Sequence, residues 1–77
     1  MPYKQFESKF ESEYREERKR QELRGVIAVK TNQMKTIFTK KYNISDDNFD
    51  DLFDKLKKSK KLYTVIENKT ELMQWND

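Results

Sequence analysis

Three residues, Asn43-Ile44-Ser45, separate two apolar stripes, and this short junction constrains the fold more than any other feature of the chain. The stripe before the junction consists of Met34, Ile37, Phe38 and Tyr42, and the stripe after it consists of Phe49, Leu52, Phe53 and Leu56. Steps of three and four residues are typical of one buried helix face, so each stripe predicts an amphipathic helix. Because so few residues join them, the two helices must meet at a steep angle with Ile44 filling the corner.

Capping residues predict where both helices begin and end. Ser45 can accept a hydrogen bond from a first-turn amide of the second helix, and Thr31 or Asn32 can do the same for the first. Asn43 ends the first helix, since Asn tolerates the left-handed conformation of a tight exit. Five aspartates occupy the start of the second helix and a group of lysines its end, which is the favourable arrangement in the helix dipole.

Two β-rich runs follow the helices. They cover residues 62–66 and 71–75, and Asn68-Lys69 between them is a plausible hairpin tip. A two-residue loop would place Leu62, Ile66, Met73 and Trp75 on one face, whereas a three-residue loop would pair Ile66 with Leu72 and Val65 with Met73. The sequence leaves both registers open.

Residues 3–24 form a charged segment with an aromatic stripe, which consists of Tyr3, Phe6, Phe10 and Tyr14. As one helix it would extend ~33 Å, longer than a small core can cover. The stripe could fold back onto the two helices as a third wall of the core. It could instead stay free as a docking arm for another protein or for a second copy of the chain, because exposed aromatic side chains form an adhesive patch.

The size and composition of the chain exclude many functions. With 77 residues, we expect one domain over 1–77 and a single small core. The chain has no Cys and no His, which removes thiolate chemistry, zinc-thiolate sites and the usual general base. We therefore expect no enzymatic activity, no cofactor and no metal. The absence of a long apolar run predicts no membrane span and a cytoplasmic location.

The order helix, tight turn, helix, hairpin resembles the winged-helix variant of the helix-turn-helix domains. The resemblance covers roughly residues 23–75 and rests on apolar, turn and cap positions: Phe38, Tyr42, Asn43, Ile44, Ser45, Phe49 and Leu52. It implies an α+β fold with a core over 26–75 and an N-terminal helix over 3–24. It also implies a short first strand at Val26-Ile27-Ala28-Val29 that joins the hairpin, with Gly25 closing the preceding helix. Thr39 departs from the pattern, which usually has a small Ala at the helix crossing.

In the DNA-binding members of this family, the second helix of the motif lies in the major groove. Here the early, solvent-facing residues of that helix are Asp46, Asp47, Asp50 and Asp51, and their four carboxylates would repel phosphates. Together with Asp54 they could also simply form a solvated helix start. The lysines that could contact phosphates in another pose, led by the hairpin, are Lys55, Lys57, Lys58, Lys60, Lys61 and Lys69. These lysines are also compatible with an ordinary solvated helix end.

The leading hypothesis is a non-enzymatic regulator or adaptor that binds another protein, through the acidic helix face, the aromatic N-terminal helix, or both. One alternative is a DNA-binding transcriptional regulator that docks through its lysine-rich side. A second alternative is an acidic mimic of nucleic acid. Five clustered carboxylates on one helix are the feature that the first and last hypotheses share.

Overall fold

The computed structural model describes residues 3–26 and 28–76, and for Tyr3 it describes the backbone only. It has three helices and a three-stranded antiparallel sheet, which confirms the α+β class. In chain order the elements are α1 (Tyr3–Leu23), β1 (Val29–Lys30), α2 (Thr31–Tyr42), α3 (Asp46–Lys58), β2 (Leu62–Glu67) and β3 (Thr70–Trp75). The strand order is β1-β3-β2, so β3 is the central strand.

The junction between α2 and α3 has the predicted left-handed exit and the predicted serine cap. Asn43 has φ 52° and ψ 48°, the left-handed conformation, and the next amide, of Ile44, donates to the carbonyl of Thr39 at 3.2 Å. The side chain of Ser45 accepts a hydrogen bond from the amide of Asn48 at 3.1 Å. Ile44 packs against the edge of the core. Each of the three junction residues therefore ends one helix, fills the corner or starts the other.

The predicted cap of α2 is wrong. Thr31 is already the first helical residue, and the cap position is held by Lys30, whose side chain makes no capping hydrogen bond. The last residue of β1, Lys30, directly precedes the first residue of α2. The backbone at the start of α2 is therefore held by the pairing of Lys30 with Leu72 of β3, and not by a capping side chain.

Gly25 closes α1, as predicted. Its φ of 79° lets the amide of Val26 reach the carbonyl of Gln21 at 2.8 Å, while the amide of Gly25 donates to Glu22 at 3.0 Å. These two bonds form a Schellman ending, which favours glycine because side chains strain the left-handed conformation.

The first strand begins later than predicted. It consists of Val29 and Lys30, and Val29 pairs with Met73 of β3. Val26 is not in the strand because its amide completes the end of α1, and Ile27 lies outside the described residues. The expectation of a strand over 26–29 is therefore wrong at its start, although the strand does join the hairpin.

The hairpin has the two-residue loop. Asn68 and Lys69 both have positive φ, 51° and 62°, which is typical of the tight turns whose twist matches that of the strands. The register runs from Leu62 opposite Trp75 to Glu67 opposite Thr70. Leu62 and Met73 are buried on the core side, whereas Ile66 is 76% exposed near the tip, beyond the reach of the core.

The aromatic stripe of α1 belongs to the core. Phe10 is 0% exposed and Tyr14 is 2% exposed, and Phe6 packs against the core edge with its ring 6.1 Å from that of Phe38. The prediction of a free aromatic arm for docking or self-association is therefore wrong for Phe10 and Tyr14, because these side chains fill the space between α1 and the other elements. Tyr3 lies outside the described side chains.

The core has one aromatic centre. The ring of Phe10 lies 5.5 Å from that of Phe38, 5.7 Å from that of Phe49 and 6.5 Å from that of Trp75. One side chain thus joins α1, α2, α3 and β3. No helix among residues 3–26 and 28–76 is long and apolar enough to cross a membrane.

Candidate protein-interaction surface

The exposed face of α3 carries the acidic side chains that the sequence singled out. The helix buries Phe49, Leu52, Phe53 and Leu56, so the positions between them point to solvent. All five acidic residues are exposed: Asp46, Asp47, Asp50, Asp51 and Asp54. The structure therefore brings the predicted carboxylates together on one surface, which we call the acidic face.

Two of these carboxylates have cationic neighbours. Lys35 of α2 places its Nζ 3.1 Å from Oδ1 of Asp50, and Lys57 lies 3.8 Å from Asp54. The ammonium group of Lys57 also lies 4.7 Å from the centre of the Phe53 ring. Exposed pairs of this kind contribute little to stability. Asp46, Asp47 and Asp51 are also exposed on the acidic face.

A shallow groove of about 360 Å³ lies beside the acidic face, between the start of α2, α3 and β3. Lys35 and Lys57 line it, together with Asp51 and Glu71, so both signs of charge are present. Thr31 also lines it, and the Oγ1 of Thr31 is buried without a hydrogen-bond partner among the described residues. The groove is open and polar, which suits the side chains of a protein partner better than a small apolar ligand.

The lysines predicted as an alternative phosphate-binding set do not form one cluster. Lys55, Lys57 and Lys58 lie in the last turn of α3, and Lys60 and Lys61 follow it. Lys69 is at the hairpin tip, at the far end of the six-residue strand β2 from Lys61. Strands rise about 3.3 Å per residue, so the tip lies roughly 20 Å from Lys61. Nζ of Lys61 forms an ion pair with Oε2 of Glu7 at 3.2 Å.

Sequence reasoning missed a polar strip that α1 buries against α2, consisting of Glu13, Glu17 and Gln21. Glu17 accepts from the side-chain amides of Gln21 and Gln33, each at 2.9 Å, and from Arg20 at 2.8 Å. The steps of four residues in line with Phe6 and Phe10 were the available signal. Spacing alone does not distinguish a buried strip from a solvated one, because the partners that bury these side chains come from α2.

The other buried carboxylate, Glu13, binds the end of α2. Its Oε1 accepts hydrogen bonds from Nζ of Lys41 and, at 3.1 Å, from the hydroxyl of Tyr42. Burial, followed by the hydrogen bond to Glu13, raises the pKa of Tyr42 above its usual 10.0. The hydrogen bond to Glu13 also raises the pKa of Lys41. Both shifts favour the protonated forms that donate to Glu13.

These buried groups join α1 to α2. Within the described part of the chain, no group of three or more acidic side chains is arranged to hold a metal ion. Comparisons with protein-family models, with curated proteins and with solved structures found no match to this chain.

Proposed function

We propose that this chain is a small, non-enzymatic regulator or adaptor with a winged-helix-like arrangement, and that it binds a basic surface of another protein through its acidic face. The observation that carries the proposal is the exposure of Asp46, Asp47 and Asp51 on the side of α3 that faces away from the core. Carboxylates in this position attract Lys and Arg side chains and steer a positively charged partner during association.

The order of the elements supports the winged-helix-like part of the proposal. A helix and a short strand precede the helix pair, and the hairpin follows it, with β1 pairing at the inner strand β3. In such an arrangement α3 holds the place of the recognition helix.

The charges on α3 favour a protein partner over duplex DNA. In standard docking, Asp46 and Asp47 in the first turn would enter a groove lined by phosphates, where each carboxylate opposes binding. In the major groove, Asp can accept only from the amino groups of cytosine and adenine, and every other polar group that the bases present there is an acceptor. A basic protein surface has neither restriction.

The placement of the aromatic stripe narrows the choice of binding surface. Phe10 and Tyr14 fill the core, so they are not free to capture a partner. Of the side chains that the structure describes on the two surfaces offered by the sequence for protein binding, those of the acidic face are exposed.

The test compares two probes and two charge variants. The probes are a fluorescent Lys- and Arg-rich peptide and a fluorescent mixed-sequence DNA duplex, each titrated across a salt series. The first variant combines Asp46→Asn, Asp47→Asn and Asp51→Asn. The matched control combines Glu11→Gln, Glu16→Gln and Glu22→Gln on α1, which changes the net charge equally at exposed positions elsewhere.

We expect the Asp variant to bind the peptide several-fold more weakly and the duplex several-fold more tightly than the α1 control, since the changes are local to α3. Wild type should bind the duplex no more tightly than the nonspecific range, roughly 10⁻⁴ to 10⁻⁶ M at physiological salt. Equal behaviour of the two variants would show that only net charge matters and would refute the acidic face as the binding surface. Nanomolar binding of wild type to a defined duplex would favour the DNA-binding alternative instead.

A further inference from the structure

The strand β2 is an open edge of the sheet. Within residues 3–26 and 28–76 it pairs with β3 on one side and has no strand on the other. The amide of Asn76 donates to the carbonyl of Lys61, which sets the phase of the antiparallel ladder. Since alternate residues face the partner strand, the backbone groups of Lys61, Tyr63 and Val65 point to β3, and those of Leu62, Thr64 and Ile66 point to the open edge.

This edge lacks the features that normally prevent association. Tyr63, Val65 and Ile66 are 46%, 49% and 76% exposed, so three of the most exposed large apolar side chains lie within one strand of six residues. The strand contains no Pro and no Lys. Natural proteins use such residues, bulges or covering elements to block an open edge, and a long apolar edge without them is a template for another strand.

The edge is complementary to itself. If two copies of β2 pair antiparallel about a two-fold axis at Thr64, Leu62 lies opposite the Ile66 of the second copy and Tyr63 lies opposite its Val65. The outward backbone groups then form roughly six hydrogen bonds. Every exposed apolar side chain of the strand gains an apolar neighbour across the interface.

Charge complementarity selects this register. Lys61 lies opposite the Glu67 of the second copy, so an ion pair closes each end of the interface. Lys61 is half exposed and donates to Glu7 at 3.2 Å. Its ammonium group has three N–H donors, so it can also donate to a second carboxylate. If the axis lay at Leu62 instead, Ile66 would have no apolar partner on β2 of the second copy. If the axis lay at Ile66, Tyr63 would have none.

We propose that two copies of this chain associate through the open edge of β2, joining their sheets into one antiparallel sheet of six strands with Lys61 of each copy paired to Glu67 of the other. This surface is distinct from the acidic face of α3, so one dimer presents two acidic faces. A partner with two basic sites would be bound more tightly by such a dimer than by the monomer.

The test is sedimentation equilibrium of the full chain, at concentrations up to about 1 mM so that weak association is included. Wild type should dimerise. Thr64→Pro removes the central outward amide, which an edge strand tolerates, and should abolish the dimer. Thr64→Val keeps the amide and should dimerise like wild type. A wild type that stays monomeric, or a folded Thr64→Pro chain that still dimerises, would overturn the proposal.

Charge reversal gives a second test that does not depend on the proline variant. Lys61→Glu alone and Glu67→Lys alone each place like charges together at both ends and should weaken dimerisation about tenfold. An equimolar mixture of the two variants restores both ion pairs and should form heterodimers with the wild-type constant. A mixture as weak as either variant would refute the register. Loss of the dimer in the Asp46, Asp47 and Asp51 variant would assign association to α3 instead.

Discussion

The hydroxyl of Tyr42 donates a 3.1 Å hydrogen bond to Oε1 of Glu13, joining the end of α2 to the middle of α1 across 29 positions of sequence. Lys41 donates to the same oxygen. Glu13 is 5% exposed, so these donors replace the water that the carboxylate has lost. These hydrogen bonds let the charged middle of α1 pack against α2, beside the apolar contacts of Phe10 and Tyr14.

This contact predicts a loss of stability at alkaline pH. The pKa of Tyr42 is raised in the folded state, so its contribution is complete below about pH 10, the value for an unfolded tyrosine, and is lost as the pH rises through the folded value. Lys41 acts in the same direction. Urea unfolding of wild type should therefore shift to lower midpoints above about pH 10. Tyr42→Phe should show less of this shift, whereas the control Tyr63→Phe, on the exposed edge strand, should follow wild type.

The second buried carboxylate predicts a difference between neighbouring glutamates. Glu17→Ala leaves the amides of Gln21 and Gln33 without their acceptor and should lower the free energy of unfolding by about 1–3 kcal/mol. Glu16→Ala makes the same change one position earlier, on the exposed side of α1, and should stay within about 0.5 kcal/mol of wild type. Urea titration measures both. Equal losses would mean that the buried strip is not what holds α1 in place.

The aromatic centre predicts that Phe10 is essential for folding. Phe10→Ala removes contacts to α2, α3 and β3 and should cost about 3–5 kcal/mol, which is comparable to the whole net stability of so small a domain. The variant should lack the near-ultraviolet dichroism of packed aromatic rings. Phe6→Ala, at the half-buried edge of the core, should remain folded and cooperative. A Phe10→Ala chain with wild-type stability would show that α1 does not pack as described.

The junction between α2 and α3 predicts a backbone effect at Asn43. Its φ of 52° strains a β-branched residue, so Asn43→Val should destabilise the fold by about 1–2 kcal/mol, while Asn43→Gly should be nearly neutral. Asn32→Val, at an exposed helical position of α2, controls for the loss of the amide and should change stability by less than about 0.5 kcal/mol. Indistinguishable denaturation midpoints for the two Val variants would contradict the left-handed exit.

The local elements could be predicted from the sequence because their causes lie within a few residues. Ser45 caps α3, Asn43 and Gly25 end helices in left-handed conformations, and the apolar stripe of α3 is buried as its spacing indicates. The acidic face followed from the same spacing, since residues between buried positions of a helix must face outward.

Tertiary contacts decided the rest. The hairpin register was set by Asn68 and Lys69 adopting positive φ together, and the entry of α2 by pairing of β1 with β3. The packing of α1 against the core depends on hydrogen-bond donors that lie 16 to 29 residues away in the sequence, in Gln33 and Tyr42. A periodicity of charges cannot show whether a carboxylate meets water or a distant amide. The sequence alone determined the order of the helices and the hairpin and the ends that local caps fix, whereas only the packing determined the start of β1 and of α2, that a charged helix is a wall of the core, and that β2 is an open edge.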